Sequence, residues 1–327
     1  AAGQNAPPPS AGGGRAQNMF RIATGTTGGT YYPIGTIIAN ALSNPPGTRP
    51  CDKGGSCGVP GLIAVAQATG GSVENLNLLA SGAVEAAMTQ ADTAWLAYTG
   101  AGPFVIKGPL ESLRTLGTLY VETIHVVARA DFRRIEDLRG LRVSLGEEGS
   151  GTLADARLTL LAHGLREADV KPAYLKPATA ADRLLNGELD AYFMVGGYPV
   201  QSIVDLAAHA SIRLLPIEGA PRRAMLENHR FLVEAAIPAG VYQGVDAVQT
   251  IGVGAELVVR AERDPEFIYK IVQALWHERT RALLTEGHPR GASIVAANAV
   301  AGVATPLHPG AERYYREVGL LGDPPTP

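Results

Sequence analysis

The sequence predicts an α/β protein built as two like lobes around a central cleft, and a repeated supersecondary unit is the first reason. FRIATGTTGGTYYPIGTIIANAL, from Phe20 to Leu42, is a short β-rich run, a Gly-rich loop and a helically periodic stretch. LRVSLGEEGSGTLADARLTLLAHGL, from Leu141 to Leu165, has the same build. The second reason is a further pair at a similar lag: NLLASGAVEAAMTQAD (Asn77 to Asp92) and RLLNGELDAYFMVGGY (Arg183 to Tyr198). There Gly82 matches Gly187, Glu85 matches Asp190 and Ala86 matches Ala191. The third is length: 327 residues exceed one typical core and suit two lobes of ordinary domain size. Gly-rich loops at strand ends make a cleft, and ligands bind at such ends.

The elements follow in order. Residues 1–18 are rich in Ala, Gly and Pro without periodicity and read as a flexible leader. Phe20 to Thr24 alternates as a strand; Ile34 to Leu42 carries a helical stripe, with Pro33 suited to its first turn. Asn44 to Gly61 is a loop, and Leu62 to Gln67 is the next strand. Ser72 is placed to cap a helix from Val73 to Ser81 that Gly82 ends. Val84 to Thr89 reads as a strand, and Asp92 as the cap of a helix through Trp95. Leu113 to Leu119 and Thr123 to Arg129 are β-rich on either side of YVETIH. The second lobe holds a strand at Ala191 to Val195, a helix from Pro199 to Ala208 and a strand at Ile212 to Pro216. Thr250 to Arg260 is long and β-rich, and Asp264-Pro265 opens a helix from Glu266 to Leu284. A short helix with Tyr314 and Tyr315 comes last. The segment from about Val253 onward is expected to pack back on the first lobe. The expected lobes are 19–123 with 253–327, and 124–252, joined by two crossover strands near Glu122 to His125 and near Gly252.

Apolar residues make up 46% and charged residues 18%, the mark of a globular chain. The net charge is −3, with 28 basic against 31 acidic residues and no basic run, which argues against nucleic acid. No apolar stretch approaches the roughly 20 residues of a transmembrane helix. The two cysteines, Cys51 and Cys57, lie in PCDKGGSCG, where Gly54 and Gly55 let the chain fold back into a local disulfide. Free thiols are the alternative. Zinc would need two more ligands, and no His lies nearby in sequence.

ATGTTGGTYYPIG, GGSVENLNLLASG, TQAD and LYVETIHVVAR, followed by GEEGSGT, GELDAYFMVGGYP, IPAGVY and PLHPGAERYYRE, carry a resemblance. In this order they resemble the motifs of TAXI proteins, the solute receptors of one branch of tripartite ATP-independent periplasmic (TRAP) transporters. The likeness spans about residues 19 to 318; PCDKGGSCG is an insertion shared by only a subset of that family. The resemblance implies a periplasmic, monomeric solute-binding protein of periplasmic-binding-protein (venus flytrap) architecture. It would hold a small carboxylate, such as glutamate or 2-oxoglutarate, and hand it to TRAP membrane permease subunits, with no cofactor, metal or enzymatic step. A two-lobed enzyme acting on a small acid, or a periplasmic sensor module feeding a kinase, are the alternatives.

The candidate ligand residues sit at strand ends and helix starts. Thr26, Thr27 and Gly28 in GTTGG, and Ser150, Gly151 and Thr152 in GSGT, precede helices, whose free N–H groups favour an anion. Neither loop has nucleotide-binding spacing, and neither contains a cation. Tyr31 and Tyr32 follow the first loop, and the helix should turn one toward the cleft. Ser72 and Asn75, Gln90 and Asp92, and Gly197 and Tyr198 lie at further strand ends. Glu122 and His125 lie in the expected crossover and read as ligand or hinge contacts. An Arg from elsewhere, such as Arg129, could add a bidentate contact.

Overall fold

A computed structural model describes residues 18–322. The predicted leader therefore lies outside the described residues, except Asn18, which opens the first strand. The first unit runs β1 (Asn18–Ala23), α1 (Tyr31–Leu42), β2 (Ser43–Asn44), β3 (Val59–Pro60), β4 (Leu62–Gln67), α2 (Ser72–Ser81), β5 (Ala86–Gln90) and α3 (Ala91–Thr99). The long β6 (Leu113–Arg129) leads to the second unit: β7 (Arg142–Ser144), α4 (Gly151–Ala162), β8 (Lys171–Ala173), α5 (Pro177–Leu185), β9 (Ala191–Gly196) and α6 (Gln201–Ala207). Then come β10 (Ile212–Leu214), α7 (Gly219–Asn228), β11 (Leu232–Ile237), β12 (Val248–Arg260), α8 (Pro265–Leu275), α9 (Glu278–Gly287) and α10 (Pro309–Glu317).

The main sheet has the order β4-β1-β5-β12-β6-β9-β7-β8. Within it, β4-β1-β5 are parallel and end against antiparallel β12; β8-β7-β9 are parallel and end against antiparallel β6. The sequence repeat is thus a structural repeat, and its matched residues have one job. Arg21 on β1 grips Glu85, which also accepts from its backbone N–H at 2.7 Å. Arg142 on β7 grips Asp190 in the same way, with the backbone bond at 2.9 Å. The acid fixes the entry to the third strand of each unit by answering one backbone donor and one fork at once. Gly82 and Gly187 end the preceding helices at φ +77° and +74°, where a Cβ would be strained.

β6 and β12 join the two halves. β6 pairs with β12 from Leu113 to Thr123, then with β9 from Thr123 to Ala128. β12 pairs with β5 through Ala255–Val259 and with β11 through Val248–Val253. Where the partners change, the Thr250 hydroxyl donates to the Ile124 carbonyl at 2.6 Å, tying one crossing strand to the other. Gly252 leaves room there, because a Cβ would stand 2.7 Å from Val121 Cγ1 and push that side chain aside. The architecture is two α/β units on one continuous sheet, joined by two long crossing strands.

Several local expectations change. β6 is one strand where two were read, because Tyr120 to Thr123 keeps pairing through the polar stretch. Gly71, not Ser72, caps α2; Ser72 is its first helical residue, and its hydroxyl accepts from Gln90 N at 3.1 Å. Gln90, not Asp92, occupies the cap of α3. The expected 266–284 helix is broken into α8 and α9, with His277 capping α9 through the Arg279 N–H.

Candidate functional site

A cavity of about 60 Å³ lies between the two units. The sequence-predicted residues Thr26, Tyr31, Ser72, Gln90, Glu122, Ser150, Gly151 and Thr152 line it. Helix starts converge on it: Tyr31 and Ser72 open α1 and α2, Gln90 caps α3, Gly151 opens α4, and Pro177 opens α5. In the two parallel sets the strands point their carboxyl ends toward the cavity, and the chain then turns into a helix. Unpaired N–H groups and the positive ends of several helix dipoles therefore face one small space. Ser150 satisfies part of its own helix, its hydroxyl accepting from Leu153 N at 3.2 Å.

Two carboxyl groups and no Lys or Arg line the cavity. Glu122 is 2% exposed and accepts from the Tyr31 hydroxyl at 2.9 Å. Burial pushes its carboxyl well above the usual range; the Tyr31 bond opposes this, and nearby Asp92 adds to it. Burial raises Glu147 to about 7, with Glu74 adding and Lys176 opposing.

The remaining predicted residues stand elsewhere. Thr27 is exposed, and Gly28 faces Ala178 and Ser202 outside the cavity. Tyr32 is turned away while Tyr31 faces in. Asn75 is fully buried and structural: its amide donates to the Thr24 and Met88 carbonyls, tying the ends of β1 and β5. Asp92 lies behind Gln90, outside the lining. Gly197 contributes its carbonyl to a contact between the halves, accepting from the Thr30 hydroxyl at 3.0 Å. Tyr198 carries the Arg290 guanidinium on its ring face at 4.5 Å. Arg129 pairs with Asp131 and Asp190 and is absent from the lining.

His125 is a core residue. Its Nδ1 donates to the Thr123 carbonyl at 3.0 Å, which leaves Nε2 to accept from the Tyr242 hydroxyl at 2.8 Å. Tyr242 in turn accepts from Val200 N at 2.9 Å. Both ring nitrogens are occupied, and burial lowers the imidazole to about 4, so the His125–Glu122 pair does not form an acid/base couple.

Residues that sequence reasoning missed include Thr30, Gly70, Gly71, Gly146, Glu147 and Met194. GG before SVEN and GEE before GSGT were visible signals, since a Gly pair beside a helix start admits close approach. Asp155 carried no such signal. It lies in mid-helix on α4, is 1% exposed, and accepts from Gln90 Nε2 at 2.6 Å.

The halves touch around the cavity. Glu74 N donates to the Gly149 carbonyl at 2.9 Å, Thr30 reaches Gly197, and Gln90 reaches Asp155. A Cβ on Gly151 would overlap the Gln90 amide. Away from the cleft, Cys51 and Cys57 are joined, with Cα atoms 4.7 Å apart. His277 lies beside them, brought close from far along the chain. Among the described residues, no helix is long and apolar enough to cross a membrane.

The NMT1-like family model matches residues 22–319. A protein from Bordetella bronchiseptica RB50 is 16% identical over 93% of this chain and 89% of that one, with a TM-score of 0.53, a likeness of fold. The alkanesulfonate-binding protein SsuA from Xanthomonas axonopodis pv. citri, bound to MOPS, is 18% identical over 91% of this chain and 83% of that one, with a TM-score of 0.49. The periplasmic aliphatic sulphonate binding protein SsuA from Escherichia coli is 17% identical over 83% and 78%, with a TM-score of 0.45.

Proposed function

The chain belongs to the NMT1-like family, and from that membership and its cleft we propose that it is a periplasmic solute-binding protein of a membrane import system. It captures a small solute between its lobes, performs no chemistry on it, and presents it to a permease. One observation carries this reading: a small cavity lies between two repeated α/β units, and helix starts from both units line it. Among the described residues the lobes are 19–123 with 253–322, and 124–252, and β6 and β12 are the hinge across which they close. The cavity is far below the roughly 300–1,000 Å³ of drug-sized sites, which suits a solute of few atoms.

The solute carries a carboxylate or a like anion. Helix N-termini hold such a group without a cation, and no Lys or Arg lines the cavity. Glu122 and Glu147 oppose an anion when ionised, and their raised proton affinity removes that opposition. The ordered motifs shared with TAXI proteins favour a TRAP-type permease as the recipient. A thermal-shift screen with dicarboxylates, amino acids and sulfonates tests the reading, because a ligand of the folded state raises the melting temperature. A concentration-dependent rise with a small acid is expected. Turnover of an acid without stable binding would instead make the protein an enzyme.

A further inference from the structure

Resting on that reading, we propose that the lobes close on a shared proton: Asp155 on α4 and Asp92 on α3 meet across the lobe junction as one carboxylic acid and one carboxylate, so that the cleft takes up a proton from water as it shuts on its solute. The geometry is unusual for two acids. Asp155 is buried, its Oδ2 accepts from Gln90 Nε2 at 2.6 Å, and its Oδ1 has no donor among the described residues. The Asp92 carboxyl is a second side chain within hydrogen-bonding reach of Asp155. Two carboxylates only accept, so a bond between them needs one proton. Asp92 Oδ1 is already turned to Thr93 N at 2.7 Å. That leaves Asp155 as the natural holder of the proton.

The surroundings offer nothing else to neutralise the pair. Glu122 on β6 is near enough to both acids, and fully buried Glu256 on β12 near enough to Asp92, for each to discourage the other's ionisation. Tyr31 on α1 bonds to Glu122, and Gln90 at the end of β5 is neutral. None of these four carboxyl groups joins a salt bridge among the described residues. Burial first, and Asp92 second, hold the Asp155 proton well above the usual carboxylate range. Asp92 is already half-buried; opening the lobes separates it from Asp155 and lets water reach Asp155, so the open form binds the proton more weakly. The linkage is reciprocal: a proton that favours closure is favoured by closure.

The test has two arms. Solution scattering without solute, across acid to neutral pH, should show wild type compact at acid pH and expanding as pH rises. Asp155→Asn keeps a neutral donor and acceptor in place and should stay compact throughout. In the second arm, calorimetry with 2-oxoglutarate or glutamate in buffers of differing ionisation enthalpy should show uptake of about one proton, the pair's single shared proton. Affinity should fall by up to about tenfold per pH unit between the open form's pKa and the higher pKa of the closed pair, and level off above the latter. Asp155→Asn should abolish most of this dependence; Glu147→Gln should leave the Asp155 component in place. Binding without proton uptake, with equal pH profiles for wild type and Asp155→Asn, would overturn the shared proton and leave the binding function standing. If neither acid binds while wild type alone compacts at acid pH, the shared proton stands and the choice of solute is wrong. A radius of gyration independent of pH in both proteins overturns the proposal.

Discussion

Gly151 sits at a contact between the lobes, and its hydrogen is all that fits against Gln90 as placed here. Gly151→Ala can be accommodated in an open cleft but not in this one without moving Gln90 off Asp155. Calorimetry should find solute affinity reduced about tenfold or more, a coupling of about 1.4 kcal/mol, with circular dichroism unchanged. Tyr242→Phe acts on stability instead. It strips a donor from His125 Nε2 and an acceptor from Val200 N, both buried. The urea midpoint should fall by the equivalent of roughly 2 kcal/mol. His125 itself gives a pH signature. Its folded value, about 4, lies below the ordinary 6.5, so between these values only the unfolded chain takes the proton. Its contribution is complete above that window and is lost as pH falls through it. The stability lost in His125→Asn, measured by urea unfolding, should therefore be larger at pH 7 than at about pH 4; an equal difference would show that His125 titrates normally in the folded chain.

The repeated strand–loop–helix units were legible because Gly, Arg and acid positions recur at fixed places. The matched pairs Arg21–Glu85 and Arg142–Asp190 explain why: each closes the same step from second helix to third strand. Glu85→Ala and Asp190→Ala should each cost roughly 1–2 kcal/mol in urea unfolding, reduced by the partial exposure of both arginines. Their effects should add, since the pairs lie in different units; strong non-additivity would mean the units are not independent copies. Other elements were misread for physical reasons. Polar Glu122 and Thr123 interrupt an apolar run, yet β6 continues because both faces are covered there and Glu122 keeps a proton donor in Tyr31. The break between α8 and α9 has no Gly or Pro; His277 supplies a cap in mid-pattern. Ser72 and Asp92 looked like caps because hydroxyl and acid residues at helix starts usually are.

For the molecule as a whole, sequence pattern located the strand ends that form the cleft but not which side chains meet across it. That depends on how two lobes approach, a relation with no local signature. Thr26, Tyr31, Gln90 and Thr152 were found because they follow strands; Asp155 was not, because a lone acid in a helical pattern reads as solvated surface. The contacts Thr30–Gly197, Glu74–Gly149 and Gln90–Asp155 bridge the two units beside the cavity. Opening must break all of them while β6 and β12 hold, and rotation about two strands allows that. Small-angle scattering of wild type and Gly151→Ala, each with and without a saturating acid chosen by thermal shift, separates capture by closure from static binding. At neutral pH, where the solute-free cleft is open, wild type should show a smaller radius of gyration with the acid present, and Gly151→Ala should not. An acid that binds wild type tightly, with no compaction in either protein, would show that the cleft does not close on its solute.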